Sequence, residues 1–168
     1  MNLVYLSLGT NVGDRAGHVR EAIARLEAAG RVIAVSSLYE TEPVEFTDQP
    51  WFLNCAVSMD TEKTPAQLMA TLLTIEQAMG RQRARKKGPR TIDIDILLFI
   101  SDGCDSIVDS PGLTIPHPAM QQRRFVLEPL AEIAPEVRHP ALNKSIRELL
   151  AALPVGQEVR RIQTRATD

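Results

Sequence analysis

Asp93 and Asp95 stand two residues apart in Gly88-Pro89-Arg90-Thr91-Ile92-Asp93-Ile94-Asp95-Ile96-Leu97-Leu98-Phe99, directly after a basic stretch. On a strand that spacing puts both carboxylates on one face, roughly 7 Å apart, with Ile92, Ile94, Ile96 and Leu98 on the other. Two like charges on a strand this apolar repel, and they are costly to desolvate unless a cation lies between them. Upstream, Arg81, Arg83, Arg85, Lys86, Lys87 and Arg90 occur with no acid among them. Arginine offers a planar fork to phosphate oxygens and keeps its charge. Magnesium takes one or two carboxylates and leaves its other positions to phosphate oxygens and water. The chemistry expected of this stretch is therefore a magnesium-nucleotide site.

Each feature also has a plainer reading. The aspartates would be unremarkable on a solvated strand face, and a Lys/Arg run is commonly a solvated surface or a nucleic-acid patch. An RNA-binding sheet, however, needs aromatic residues on its central strands, and aromatics make up 4% of this chain. A two-metal nuclease or phosphatase built on the same pair is a further alternative, which predicts phosphoester hydrolysis without an acceptor. Glu76 falls in the last turn of its helix against the dipole; an exposed side chain without a role and one paired with a nearby arginine fit the spacing equally. His117, held between Pro116 and Pro118, is either structural or touches phosphate or base together with Arg123 and Phe125. Phe52 and Asn54 share a strand face and would suit a flat heterocycle, although Phe52 also reads as core. No Gly-x-x-x-x-Gly-Lys-Ser/Thr occurs, which excludes a P-loop.

The elements that must position these residues follow from periodicity. Leu3 to Leu8 reads as a strand, and Asp14 caps a helix to about Ala29 with Gly30 as its stop. Val32 to Tyr39 reads as a second strand, and the proline-punctuated stretch from Glu40 to Pro50 as a closing loop. Phe52 to Met59 alternates as a strand. Thr64-Pro65-Ala66-Gln67 combines an N-cap, a first-turn proline and a capping box for a helix that ends at Gly80. Strand, helix, strand, strand, helix and the aspartate strand give the βαββαβ order of an α/β (α+β), ferredoxin-like fold with a mainly antiparallel sheet flanked by helices. Beyond it come an irregular excursion from Ser101 to Gly112, helices at Phe125 to Ala134 and Ser145 to Leu153, and an edge strand from Glu158 to Ile162.

Composition narrows the class. With 168 residues, 44% of them apolar, one domain over 1–162 with a loose tail at 163–168 is expected. The net charge of -2 opposes a general nucleic-acid binder. No apolar run is long enough to span a bilayer and no export signal is visible. Cys55 and Cys104 form neither a metal spacing nor a disulfide framework, so a reduced cytoplasm is expected; the chain is also expected to be a monomer.

Leu8-Gly9-Thr10-Asn11, Gln49-Pro50-Trp51-Phe52-Leu53-Asn54, Gly88 to Asp95 and Ile115-Pro116-His117-Pro118 together resemble the 6-hydroxymethyl-7,8-dihydropterin pyrophosphokinases of folate biosynthesis, over nearly the whole chain. The resemblance implies transfer of the β,γ-pyrophosphoryl group of ATP to the pterin hydroxymethyl group, releasing AMP. It implies two Mg2+ ions on Asp93 and Asp95, with Arg81, Arg90 and Asp95 catalytic. Glu76, Arg83, Ile96, Thr114, His117 and Arg123 would contact the nucleotide, Ile96 and Thr114 through their backbone. Thr41, Pro43, Val44, Phe52, Asn54 and Phe125 would line the pterin pocket, and loops around Val12, Glu45 and Lys86 would close over both substrates. The chain departs from many relatives in carrying Lys87, not Trp, before Gly88-Pro89-Arg90, and Pro118, not Tyr, after the histidine. The implied partners are these two small molecules, with no nucleic acid and no membrane.

Overall fold

The computed structural model of the chain describes residues 1–43, 48–80 and 91–165. Nine strands occur among them: β1 (Asn2–Thr10), β2 (Arg31–Val35), β3 (Ser37–Thr41), β4 (Phe52–Thr61), β5 (Asp93–Ser101), β6 (Cys104–Asp105), β7 (Val108–Ser110), β8 (Leu113–Ile115) and β9 (Val159–Arg165). Four α-helices accompany them: α1 (Arg15–Arg25), α2 (Pro65–Ala78), α3 (Arg124–Ile133) and α4 (Ile146–Ala151). The main sheet runs β6-β5-β1-β4-β3-β9, with β2 also paired to β4, and β7 and β8 form a separate hairpin. Every pairing is antiparallel. The β1-α1-β2/β3-β4-α2-β5 core is the βαββαβ plan that the sequence order implies.

The helices begin where the side chains allow. The Asp14 carboxylate accepts the Gly17 N–H at 3.1 Å, and Thr64 and Gln67 close the capping box ahead of Pro65. Gly80 (φ 87°) ends the α2 region in the left-handed conformation that glycine adopts without strain. Gly30 acts otherwise than as a helix stop. α1 gives way to a 3-10 turn at Leu26–Ala28, and the Gly30 α-carbon lies so close to the Asp60 carbonyl that no β-carbon fits.

Two apolar layers sandwich the sheet. On one face Leu6, Leu8, Val57, Met59, Ile94 and Ile96 pack against Val19, Ala22 and Ile23 of α1 and Leu68, Leu72 and Ile75 of α2. On the other, Tyr5, Ala56, Leu97 and Leu98 pack against Val126, Leu127 and Leu130 of α3 and Ile146 and Leu149 of α4. Leu98 therefore departs from the expected isoleucine face. Between Tyr5/Leu98 and Leu6/Ile96 the register slips by one, so Leu97 is an extra residue and the alternation of β5 changes phase there.

The single strand expected over Val32 to Tyr39 is two. Ser36, fully buried, separates β2 from β3; its N–H donates to the Ala56 carbonyl, and its hydroxyl accepts the Ala56 N–H. β9 continues past the expected end at Ile162 to Arg165. No helix among the described residues is long and apolar enough to cross a membrane.

Candidate active site

The second face of the sheet is apolar at one end and polar at the other. Toward the C-terminal end of β1 the sequence Tyr5, Ser7, Gly9 on that face replaces bulk with small groups, and the register sets Ser7 opposite Asp95 and Gly9 opposite both Asp93 and Asn54. α3 and α4 do not cover this end. It forms the floor of a cleft open to solvent, lined by Ser7, Gly9, Thr41, Glu42, Pro43, Gln49, Phe52, Asn54, Asp93, Asp95, Arg123, Phe125 and Gln157.

Gly9 is required by what lies above it, because an added β-carbon would run into the Asn54 side-chain oxygen. The Asn54 amide donates to the Thr41 hydroxyl at 2.6 Å, which fixes its orientation. Its remaining amide N–H and its carbonyl oxygen give it the capacity to pair with a ligand edge. Asn11 donates to Gln49 at 2.7 Å and to the Pro50 carbonyl at 3.2 Å, tying the end of β1 to the loop ahead of Phe52. Phe52 and Phe125 supply aromatic walls from β4 and α3. The Arg123 guanidinium lies 5.5 Å from the Phe125 ring centroid, a cation–π distance that holds a positive charge at the same rim.

Asp93 and Asp95 both line the cleft and are half-buried. No group of three His, Cys, Asp or Glu side chains with metal-holding geometry occurs among the described residues. A donor set of two carboxylates beside an open cleft fits magnesium, which completes its shell with substrate oxygens and water, and does not fit a closed structural zinc site.

Glu76 is neither exposed nor idle. It is 1% exposed, on the opposite side of β5 from the cleft, and its Oε2 accepts the Ile94 N–H at 2.7 Å. Among the described residues β5 is paired only to β1 at this end, and the Glu76 carboxylate satisfies an N–H on its other edge, between the two aspartates. The His117 N–H donates to the carbonyl of Leu97, at the phase change of β5, at 3.0 Å. Its Nδ1 accepts the Ala119 N–H at 3.2 Å. Burial, followed by the Arg123 guanidinium, pushes the His117 pKa down, with Asp93 acting in opposition. The ring is accordingly neutral at pH 7, with its proton on Nε2.

The structure thus brings Thr41, Pro43, Phe52, Asn54, Asp93, Asp95, Arg123 and Phe125 into one cleft, with His117 at its edge. The side chains of Ile96 (buried in the first core layer) and Thr114 (exposed on β8) do not line it. Arg81, Arg83, Arg90 and Val44 lie outside the described residues, as do Glu45 and Lys86. Sequence reasoning missed Ser7 as a floor residue, although its place two positions before Gly9 on one strand face was a readable signal. Gln157, remote in sequence, gave none.

The fold and cleft define a ferredoxin-like α/β protein with a candidate small-molecule cleft at the polar end of its sheet. The chain belongs to the 7,8-dihydro-6-hydroxymethylpterin-pyrophosphokinase (HPPK) family, whose sequence model matches residues 5–135, and is thereby a pyrophosphokinase for that pterin. It is 46% identical over 161 residues to the 2-amino-4-hydroxy-6-hydroxymethyldihydropteridine pyrophosphokinase of Methylorubrum extorquens, covering 94% of this chain and 98% of that one. Against the Bacillus subtilis protein of the same description it is 45% identical over 144 residues, 84% of each chain. It is 42% identical to Folic acid synthesis protein fol1 of Schizosaccharomyces pombe over 90% of this chain but spans 20% of that longer protein. The crystal structure of wild-type HPPK-DHPS from Plasmodium falciparum shares the fold, with a TM-score of 0.68 at 20% identity over 89% of this chain and 43% of that one.

Proposed function

We propose that the chain transfers the β,γ-pyrophosphoryl group of ATP to the hydroxymethyl oxygen of 6-hydroxymethyl-7,8-dihydropterin, giving the pterin diphosphate and AMP as a step of folate biosynthesis, and does so as a monomer in a reduced cytoplasm. The observation that carries this reading is that Asp93 and Asp95 face the same cleft as Phe52, Asn54, Thr41 and Phe125. One element of the site suits a metal-bound polyphosphate and the other a flat, hydrogen-bonding heterocycle.

In this reading Asp93 and Asp95 would hold two magnesium ions, which when bound would neutralise charge on the triphosphate oxygens. The pterin lies between Phe52 and Phe125, with Asn54, fixed by Thr41, reading its edge, and Pro43 and Val44 closing the wall. Arg123 faces phosphate, His117 donates from Nε2 to the nucleotide, and the backbone of Ile96 and Thr114 lies near adenine. Arg83 completes the nucleotide side, Arg81 and Arg90 meet the transferred group, and Glu76, buried behind β5, acts by holding the Ile94 N–H between the two aspartates. The hydroxymethyl oxygen attacks the β-phosphorus in line; as its bond to phosphorus forms it gives up its proton to solvent, the bond from the β-phosphorus to the α-phosphate oxygen breaks, and AMP departs. Little covalent chemistry falls to the protein, so positioning and charge carry the rate.

The test is incubation with MgATP, with and without the pterin, and detection of AMP. Pterin-dependent AMP is expected. Phosphate release without pterin would instead support a hydrolase, and normal turnover by Asp95→Ala would overturn the metal assignment.

A further inference from the structure

Gln157 lines the cleft, yet it lies outside the 5–135 span that defines the family match. The segment that carries it reaches both rims. On one rim, Gln157 Nε2 donates to the Glu42 carbonyl, the Glu42 N–H donates to the Glu158 carbonyl at 3.1 Å, and Pro43 of the cleft follows directly. On the other, the Arg160 guanidinium lies 4.8 Å from the Trp51 ring centroid, next to Phe52, and also pairs with Glu40 at 2.7 Å. Arg161 comes within 3.7 Å of Glu132 on α3, the helix that bears Phe125.

Exposed ion pairs of this kind are individually weak contributors to global stability. Here they converge on the residues adjoining Pro43 and Phe52. An ordinary edge strand would close the sheet through backbone pairing along β3 and would need none of these side chains at the cleft mouth.

We propose that the segment 157–161 is a brace that sets the spacing of the two acceptor rims, with Gln157 as a positioning residue for pterin affinity acting through Glu42 and Pro43. The inference rests on the acceptor-site reading given above. It places a determinant of heterocycle binding in the C-terminal part of the chain, away from the metal-bearing strand.

The experiment uses Gln157→Ala and Gln157→Glu, the second keeping side-chain length without an amide donor, assayed for AMP formation against pterin and against ATP. Both variants should raise the pterin KM about 3- to 10-fold, the scale of one lost hydrogen bond, with kcat and the ATP KM unchanged. Arg160→Ala should shift the emission of Trp51, the sole tryptophan, and weaken pterin binding followed through that emission. A pterin KM within about twofold of wild type in both Gln157 variants would refute the brace, as would a joint fall of kcat, both affinities and the thermal midpoint. Wild-type protein without pterin-dependent AMP formation would sink the acceptor-site reading itself, and the brace with it.

Discussion

One face of one sheet does two jobs, and the contrast lies in residue type, not in backbone. Along β1 the face reads Tyr5, Ser7, Gly9; along β4 it reads Ala56, Asn54, Phe52; along β5 it reads Leu97, Asp95, Asp93. The Tyr5, Ala56 and Leu97 end is sealed by α3 and α4, whereas the Gly9, Asn54 and Asp93 end stays open as the cleft. Pairing runs unbroken across β1 and β4 from one end to the other. A shared rigid ladder thus carries a packed core into a chemical site within two residue steps, and the buried end supplies the rigidity that the polar end requires.

Four perturbations separate the two ends. The largest effect belongs to the sealed end: Leu98→Ala, at a side chain 2% exposed, should cost about 2–5 kcal/mol by transfer and cavity terms. Chemical denaturation would measure it, and the pterin KM of the folded fraction should be little altered. At the open end Asp95→Ala should lower AMP formation by about 100-fold or more, the scale of removing one charge-organising group. Gly9→Ala introduces a methyl against the Asn54 amide without straining the backbone; the pterin KM should rise about tenfold through the displaced amide. An unchanged KM would show that Asn54 does not read the heterocycle.

The smallest effect concerns pH. His139 is buried beside α4, and its Nδ1 accepts the N–H groups of Ala141 and Leu142, each at 3.2 Å. Burial lowers its pKa below the ordinary 6.5, with Asp105 opposing. As pH falls through 6.5 the unfolded chain binds a proton that the folded chain resists, so the stability present above that pH is progressively lost below it. His139→Asn, whose side-chain oxygen replaces the acceptor, should flatten the fall of thermal midpoint between about pH 7 and pH 5. An identical slope in wild type and variant would remove His139 from the acid response.

Local signals were legible where a single residue determines geometry. Thr64, Pro65 and Gln67 announced α2, Gly80 its end, and the Asp93/Asp95 spacing the shared face. Non-local geometry was not. Ser36 splits one apolar run into β2 and β3 through hydrogen bonds to Ala56, a partner distant in sequence. Glu76 looked exposable by its helix position, but the Ile94 N–H of β5 draws it inward. Gly30 carried a stop signal by composition while its constraint comes from the Asp60 carbonyl. The cleft residues named from family resemblance mostly meet in space. Gln157 arrives through the pairing of β9 with β3, which no periodicity encodes.

The extra residue at Leu97 has a consequence for how this chain tolerates change in length. It acts as a phase joint, so that acids emerge on the cleft side at one end of β5 while Leu98 and Ile100 pack on that same side at the other. Deleting Leu97 would remove the bulge and leave Ile96 opposite Leu6 and Leu98 opposite Tyr5 in unbroken alternation, with both acids still on the cleft side. A frame-preserving loss of one codon is thus absorbed at this joint, whereas the same loss at Ile94 would make the two acids neighbours and set them on opposite faces of the strand.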